Sequence, residues 1–298
     1  MPNLPNQRTA LVLARAAVFG LIVLVLGYAI AGLIAQIGTP LPSFAGSYVA
    51  ASAAIHVPGA PIYEYGTLLR VNAAHQYITA GFYPFVAPPF ALLALAPLTL
   101  LPYAAASVFW LAITRLCALG AALALADAFS VVAARRDAAQ GLTSRRVLAV
   151  LRQTSPQIGA WRFPAAPFAL GAALLLLALP PLDAISWDSL SLVAILLVAL
   201  ALDAFVRGHP LLAGFAVALA SGFSFLPLVL VACFLIRGAW KAAASAIFFA
   251  LAVAAAPLLL FPARSYGDLA AALRFAQGVY GSSDHNVSLL GAASTAII

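Results

Sequence analysis

A succession of apolar runs, at about 16–37, 84–101, 104–126, 163–182, 189–206, 210–222, 226–236 and 242–261, limits this chain to very few architectures. Several are long enough to cross roughly 30 Å of hydrocarbon, and Leu, Ala, Val and Phe fill them without the alternation of a barrel strand. With 65% hydrophobic and 8% charged residues, the chain cannot assemble a water-facing surface of ordinary charge density. The expected fold class is all-α: a polytopic helical bundle, a single transmembrane domain over 1–298, multi-pass in a plasma or inner membrane, with the lipid bilayer as its surroundings.

Basic residues are placed unevenly among 15 Lys and Arg against 8 acids. Arg135, Arg136, Arg145, Arg146, Arg152 and Arg162 crowd one connection, Arg207 sits in another, and Arg237 and Lys241 in a third. Such connections stay in the cytoplasm, so the pI of about 9.9 reflects topology and not a nucleic-acid partner. Arg8 and Arg15 flank the first run, which is long for a signal peptide and lacks a convincing small-residue cleavage site. It reads as a retained anchor that delivers 38–83 to the outer face. The segment 128–162 becomes a basic cytoplasmic linker, suited to lie on anionic lipid, and 262–288 a second outer loop. Two ordinary crossings at 84–101 and 104–126 would export that linker. Pro88, Pro89, Pro97 and Pro102 break 84–101, so this run is expected to be re-entrant or surface-lying; on the sequence alone its parity stays open.

Runs 210–222 and 226–236 are too short to span singly. Ser221, Gly222, Phe223 and Ser224 interrupt them and Pro227 restarts the pattern, which predicts a short helical hairpin dipping into an outward cavity. One helix kinked at Pro227 would instead put Arg207 and Arg237 on opposite faces. Cys117 and Cys233 stand isolated in apolar runs and read as small core residues, with no disulfide or metal site. There is no GxxxxGK(S/T), no GxGxxG opening a helix and no HExxH, so nucleotide-binding and zinc-hydrolase classes lose their support and no cofactor is expected. No internal repeat is evident, which argues against a transporter.

The long segment after the first run carries the most specific pattern. In order come Ser43, Phe44, Tyr48, Ala50 and Ala51, then Pro61-Ile62-Tyr63-Glu64, Phe82-Tyr83-Pro84, Ala87-Pro88-Pro89-Phe90, Ala96-Pro97-Leu98, Leu101-Pro102-Tyr103-Ala104 and Trp110. This order closely resembles the family 87 glycosyltransferases, membrane enzymes of the C-type glycosyltransferase fold. Their first outer loop reads roughly D-F-x-x-x-(W/Y)-x-A, L-Y-D, then Y-P-P-x-x-x-L-x-x-x-P-L-x-x-L-P, with a Trp in the next helix. Downstream, Asp188-Ser189-Leu190-Ser191 is similar to the family's G-Q-x-(N/S), and Ser221 to Pro227 to its A-x-K-x-x-P hairpin tip. Ser265-Tyr266 and Asn286-Val287-Ser288 are similar to its late outer loop. The resemblance extends over about 20–290, with 82–110 its most specific part.

It implies transfer of a hexose, mannose by the resemblance, from a polyprenyl-phosphate carrier to a hydroxyl of a lipid or glycan acceptor at the outer face, with no obligatory metal. A first-loop carboxylate takes the hydroxyl proton, and basic or hydrogen-bonding groups hold the departing phosphate. The chain departs from the family at four positions. The family's base falls on Ser43, the Y-P-P aromatic on Ala87, the glutamine on Ser189 and the hairpin lysine on about Ser224. A serine hydroxyl cannot replace a carboxylate as base. Glu64, the acid of the first outer loop at the family's L-Y-D position, is then the catalytic candidate; the alternative is that it caps or pairs locally with Arg70.

Implied substrate-binding residues are Asp188 and Ser189 at a helix start, Ser224 at the hairpin tip, Arg264 and Arg274, and His285 and Asn286. The two arginines lie on the outer face against the charge rule, which suits a phosphate partner. Each has a plainer alternative: an N-cap for Asp188, snorkelling for the arginines, a solvated loop for His285 and Asn286. His56 and His75 read as solvated loop histidines, and Arg115 inside 104–126 needs a cavity or a partner. Two readings stay open: an active transferase, or a non-catalytic relative that binds lipid-linked sugar or scaffolds envelope assembly. A fresh apolar run begins near Ser294 to Ile298, so a C-terminally truncated relative or a fragment is expected.

The topology has a direct check. In a background of Cys117→Ala and Cys233→Ala, a membrane-impermeant thiol reagent applied to intact cells is expected to label Thr67→Cys and to leave Ala138→Cys untouched. Labelling at 138 would reverse the assignment.

Overall fold

The computed structural model describes residues 42–57, 59–75, 84–139, 157–158, 161–162 and 190–280. Their regular structure is helical apart from a two-residue antiparallel ladder, Gln157–Ile158 (β1) with Trp161–Arg162 (β2). The runs 16–37 and 163–182 lie outside the described residues.

The segment expected as an outer loop contains two helices, α1 (Pro42–His56) and α2 (Tyr65–His75). Every residue from Phe44 to Ala53 is buried, so α1 is a core helix covered on all sides. His56 and His75 end these helices and are exposed, a favourable place for imidazole against the C-terminal carbonyls.

Run 84–101 is not one straight crossing. Helix α3 (Pro89–Leu95) passes into a 3-10 turn at Ala96–Leu100. Pro89 suits a helix start, where no donor is needed; Pro97 has no N–H for an i−4 carbonyl, and the α ladder ends there. After Pro102, α4 (Tyr103–Ala139) runs for 37 residues. It continues into the expected linker 128–162, because no Gly or Pro interrupts Ala128 to Ala139. Then come α5 (Leu190–Val206), α6 (Pro210–Ser221), a 3-10 turn Leu226–Leu228, α7 (Val229–Ile236), α8 (Trp240–Ala255), a 3-10 turn Ala256–Leu259 and α9 (Arg264–Tyr280). The last occupies much of the range expected as a second outer loop. Among the described residues, two helical stretches, Tyr103–Leu125 and Trp240–Leu259, are long and apolar enough to cross a membrane.

Neighbour contacts give the helix directions. Leu190 shares a core with Trp110, a Cβ on Gly120 would meet Leu196, and Arg207 pairs with Asp127, so α4 and α5 run parallel. The Ser245 hydroxyl donates to the Leu211 carbonyl at 2.8 Å, and Gly222 lies beside Val253, so α6 and α8 are parallel too. Helix α7 therefore returns between them as the second arm of a hairpin. Phe205 and Phe234 sit 5.1 Å apart, which brings the ends of α5 and α7 together with Arg207 and Arg237. Both ends close with the same turn. His209 N–H donates to Ala204 O and Ala239 N–H to Phe234 O, each at 2.8 Å, around Gly208 (φ 87°) and Gly238 (φ 68°). Such left-handed turns suit glycine.

Arg207, Arg237 and Lys241 thus mark a basic end, while α1, α2, α3 and the start of α9 make a loop end. Helix α4 runs from the loop end toward the basic end, with Arg135 and Arg136 near its finish.

Each end has its own core. At the loop end Phe44, Tyr48, Tyr63, Leu92, Trp110 and Leu269 belong to one cluster; at the basic end the cluster is mostly alanine, with Val217 and Phe234. Cys117 is buried as expected, but Cys233 is exposed, because within α7 Phe234 is the residue turned inward. The alanine cluster allows α6 and α8 to approach closely, and Gly214 is where they touch. A Cβ there would overlap the Ala242 carbonyl and lie 2.7 Å from Ala246 N. Backbone cannot step aside as a side chain can. Gly214→Ala is expected to destabilise the protein by about 1–3 kcal/mol, read as a lower unfolding midpoint in detergent.

Candidate active site

The loop end gathers the residues that the sequence singled out. On α1, Phe44 stacks on Tyr103 (6.0 Å, 19°) and on Trp110 (5.7 Å, 17°), while Tyr48 meets Tyr103 edge-on at 5.4 Å. The Tyr48 hydroxyl donates to Leu101 O at 2.8 Å, just before Pro102. Tyr63 packs on Phe85 at 5.4 Å, and its hydroxyl donates to Ala87 O at 2.8 Å. The 3-10 turn after α3 rests on α1. Side chains that reach another segment's backbone thus join 44–48 to 101–110 and 61–64 to 85–90, and all four segments share one buried cluster.

The hairpin enters from below. Phe223 meets Phe90 edge-on at 5.9 Å, and Gly222 lies so close to the Phe90 ring that a Cβ would overlap it. Ser224, half-buried next to this contact, donates its N–H to Ala220 O at 3.1 Å. Ser43 stands in the first turn of α1, one residue before the stacked Phe44.

Glu64 lies immediately before α2, at its N-cap. Its carboxylate accepts the Thr67 hydroxyl at 2.6 Å and stands 3.9 Å from Arg70 Nη2. With its side chain 58% exposed, the ion pair adds little, and its present partners are local.

Helix α9 closes the assembly from the side. Arg264 Nη2 donates to Gly59 O at 2.7 Å, and the Tyr266 hydroxyl donates to Ala254 O. Ser265, Leu269 and Ala272 are buried against the loop-end core. Arg274, further along, is exposed. Tyr63 is only 4% exposed; burial, then the nearby charges of Tyr266 and Asp268, push its phenol well above the ordinary tyrosine range. Burial also raises Tyr266.

The structure thus brings Glu64, Ser43, Ser224 and Arg264 to one end. Asp188, Ser189, His285 and Asn286 lie outside the described residues. Sequence reasoning missed Asp268. Its signal was the helical spacing of Ser265, Asp268, Leu269 and Ala272, which a loop reading of 262–288 did not look for. No grouping of three or more His, Cys, Asp or Glu able to hold a metal occurs among the described residues.

Residues 85–297, most of the chain, match glycosyltransferase family 87. The chain belongs to that family. The matched range begins at Phe85, so Ser43, Phe44, Tyr48 and Glu64 lie before it and are tied to it through contacts such as Phe44 on Trp110 and Tyr63 on Ala87. Comparison with curated proteins finds no match, and comparison with solved structures finds none. As a family 87 chain it is a glycosyltransferase by kinship, and family 87 proteins are membrane proteins.

Loss of the Tyr63 hydroxyl leaves a buried carbonyl without its donor, so Tyr63→Phe is expected to destabilise by about 1 kcal/mol in chemical denaturation. An unfolded tyrosine ionises near pH 10, whereas folded Tyr63 resists ionisation. Its contribution is therefore full below about pH 10 and declines above it as the unfolded state gains the phenolate. Tyr63→Phe should flatten that alkaline loss.

Proposed function

We propose that this protein is a membrane glycosyltransferase that moves a hexose, mannose in the first instance, from a polyprenyl-phosphate carrier to a hydroxyl of a lipid or glycan acceptor. The reaction takes place at the loop end, which faces outward from a plasma or inner membrane, in a bundle of the C-type glycosyltransferase kind. One observation carries the reading: within a chain of this family, the motif residues of the early segment, the proline-broken α3 and the hairpin tip meet at one end. The apolar helices beneath would keep a prenyl chain in lipid while its phosphate and sugar reach polar groups above them.

In the reaction the acceptor hydroxyl oxygen attacks the anomeric carbon, the bond from that carbon to the phosphate oxygen breaks, and the electron pair leaves on the phosphate. The hydroxyl proton needs a base, and the developing phosphate charge needs donors. Arg264 uses one guanidinium N–H on Gly59 O and has others to offer; Ser224 and Arg274, with Asp188, Ser189, His285 and Asn286, are the further binding candidates. Glu64 and Asp268 are the two carboxylates at the loop end among the described residues.

A second reading is supported by the residues at 43, 87, 189 and 224, where Ser, Ala, Ser and Ser stand at the positions of the family's Asp, Tyr, Gln and Lys. On it the chain binds a lipid-linked sugar, or scaffolds envelope assembly, without transferring.

The full chain in proteoliposomes, given radiolabelled polyprenyl-phosphate mannose and then other polyprenyl-phosphate hexoses with membrane extract as acceptor, is expected to yield labelled product. Retention of label on the carrier in every case would leave the non-catalytic reading.

A further inference from the structure

We propose that Asp268 is the general base of the transfer, taking the role that the family's first-loop acid would fill at Ser43; this rests on the transferase reading above. The argument begins with placement. On α9 the buried residues Ser265, Leu269 and Ala272 follow the spacing of one helix face, and that face packs on the loop-end core. Asp268 stands three residues after Ser265 and four before Ala272, so it belongs to the same stripe, and it is half-buried.

The stripe is held in position from two directions. Arg264, one turn earlier, anchors on Gly59 O, and Tyr266 anchors on Ala254 O at the end of α8. Asp268 is thereby carried to the buried Tyr63, close enough for its charge to oppose ionisation of that phenol.

Asp268 also differs from Glu64 in what it does already. Glu64 is largely exposed, and its carboxylate accepts the Thr67 hydroxyl and lies near Arg70. Asp268 forms no ion pair among the described residues. Arg264, its natural i−4 partner on the helix, is turned onto Gly59 instead. A half-buried carboxylate that forms no ion pair among the described residues is placed to accept the proton of an incoming hydroxyl. As the acceptor oxygen bonds to the anomeric carbon and the phosphate leaves with its electron pair, the hydroxyl proton passes to an Asp268 carboxylate oxygen and from there to water.

The test uses the full chain in proteoliposomes with labelled polyprenyl-phosphate mannose, or whichever polyprenyl-phosphate hexose the unmodified protein accepts, and membrane extract. Asp268→Asn is expected to lower kcat by about 10²–10⁴-fold with the donor KM little changed. Asp268→Ala supplied with formate should regain turnover, because formate restores a carboxylate without restoring packing. Full turnover in Asp268→Asn overturns the assignment and leaves the transferase reading standing, as does a collapse confined to Glu64→Gln. If Asp268→Asn fails to fold, formate decides: no recovery in a folded Asp268→Ala overturns the proposal. Absence of transfer by the unmodified protein overturns both.

Discussion

Backbone hydrogen bonding in apolar surroundings is the constraint on which this structure turns. Pro97, Pro227 and Pro257 each withdraw a donor, and at each the chain adopts a 3-10 turn, at Ala96–Leu100, Leu226–Leu228 and Ala256–Leu259. The three turns gather around α3. The first follows it and packs on α1, the second closes the hairpin whose tip meets Phe90, and the third contacts α3 itself. In each turn one residue is buried, Leu98, Pro227 or Pro257, while Leu100, Leu226 and Leu259 are exposed. Three helices, α3, α6 and α8, therefore end close to one another at the loop end.

The two ends are held by different physics. At the loop end, large aromatic side chains bury their surface, each contributing about 1.5–3 kcal/mol, and the Tyr48 and Tyr63 hydroxyls bind carbonyls of distant segments. At the basic end, alanines and Gly214 allow helices to touch backbone to backbone, and Arg207 bridges Asp203 on α5 and Asp127 on α4. The first arrangement fixes side chains in register with one another. The second fixes helices, which is what a scaffold needs beneath a site.

Scaffold and chemistry separate in this chain. Phe44, Tyr48, Tyr63, Tyr103 and Trp110, which carry the resemblance in the sequence, pack on or bond to neighbouring segments. The departures fall on polar positions, Ser43, Ser189 and Ser224, together with Ala87, whose side chain the family makes aromatic but whose carbonyl here receives Tyr63. A fold survives such changes because its stability lies in buried area. A reaction survives them only if another group of suitable basicity stands near.

Periodicity and composition were enough to read the helical class, the hairpin of 210–236 and the proline-broken 84–101, because apolar spacing and proline act locally. The motif order of 82–110 was enough to read the family. Tertiary structure alone decided that much of 38–83 is helix, since α1 is covered by partners remote in sequence and no polar face marks it. It alone gave α3 its place against α1, and it alone separated buried Cys117 from exposed Cys233. Asp268 was invisible for the same reason. A lone acid in an expected loop acquires meaning only when it is seen on the helix face that packs on the loop-end core, and that placement depends on the contacts of Arg264 with Gly59 and of Tyr266 with Ala254.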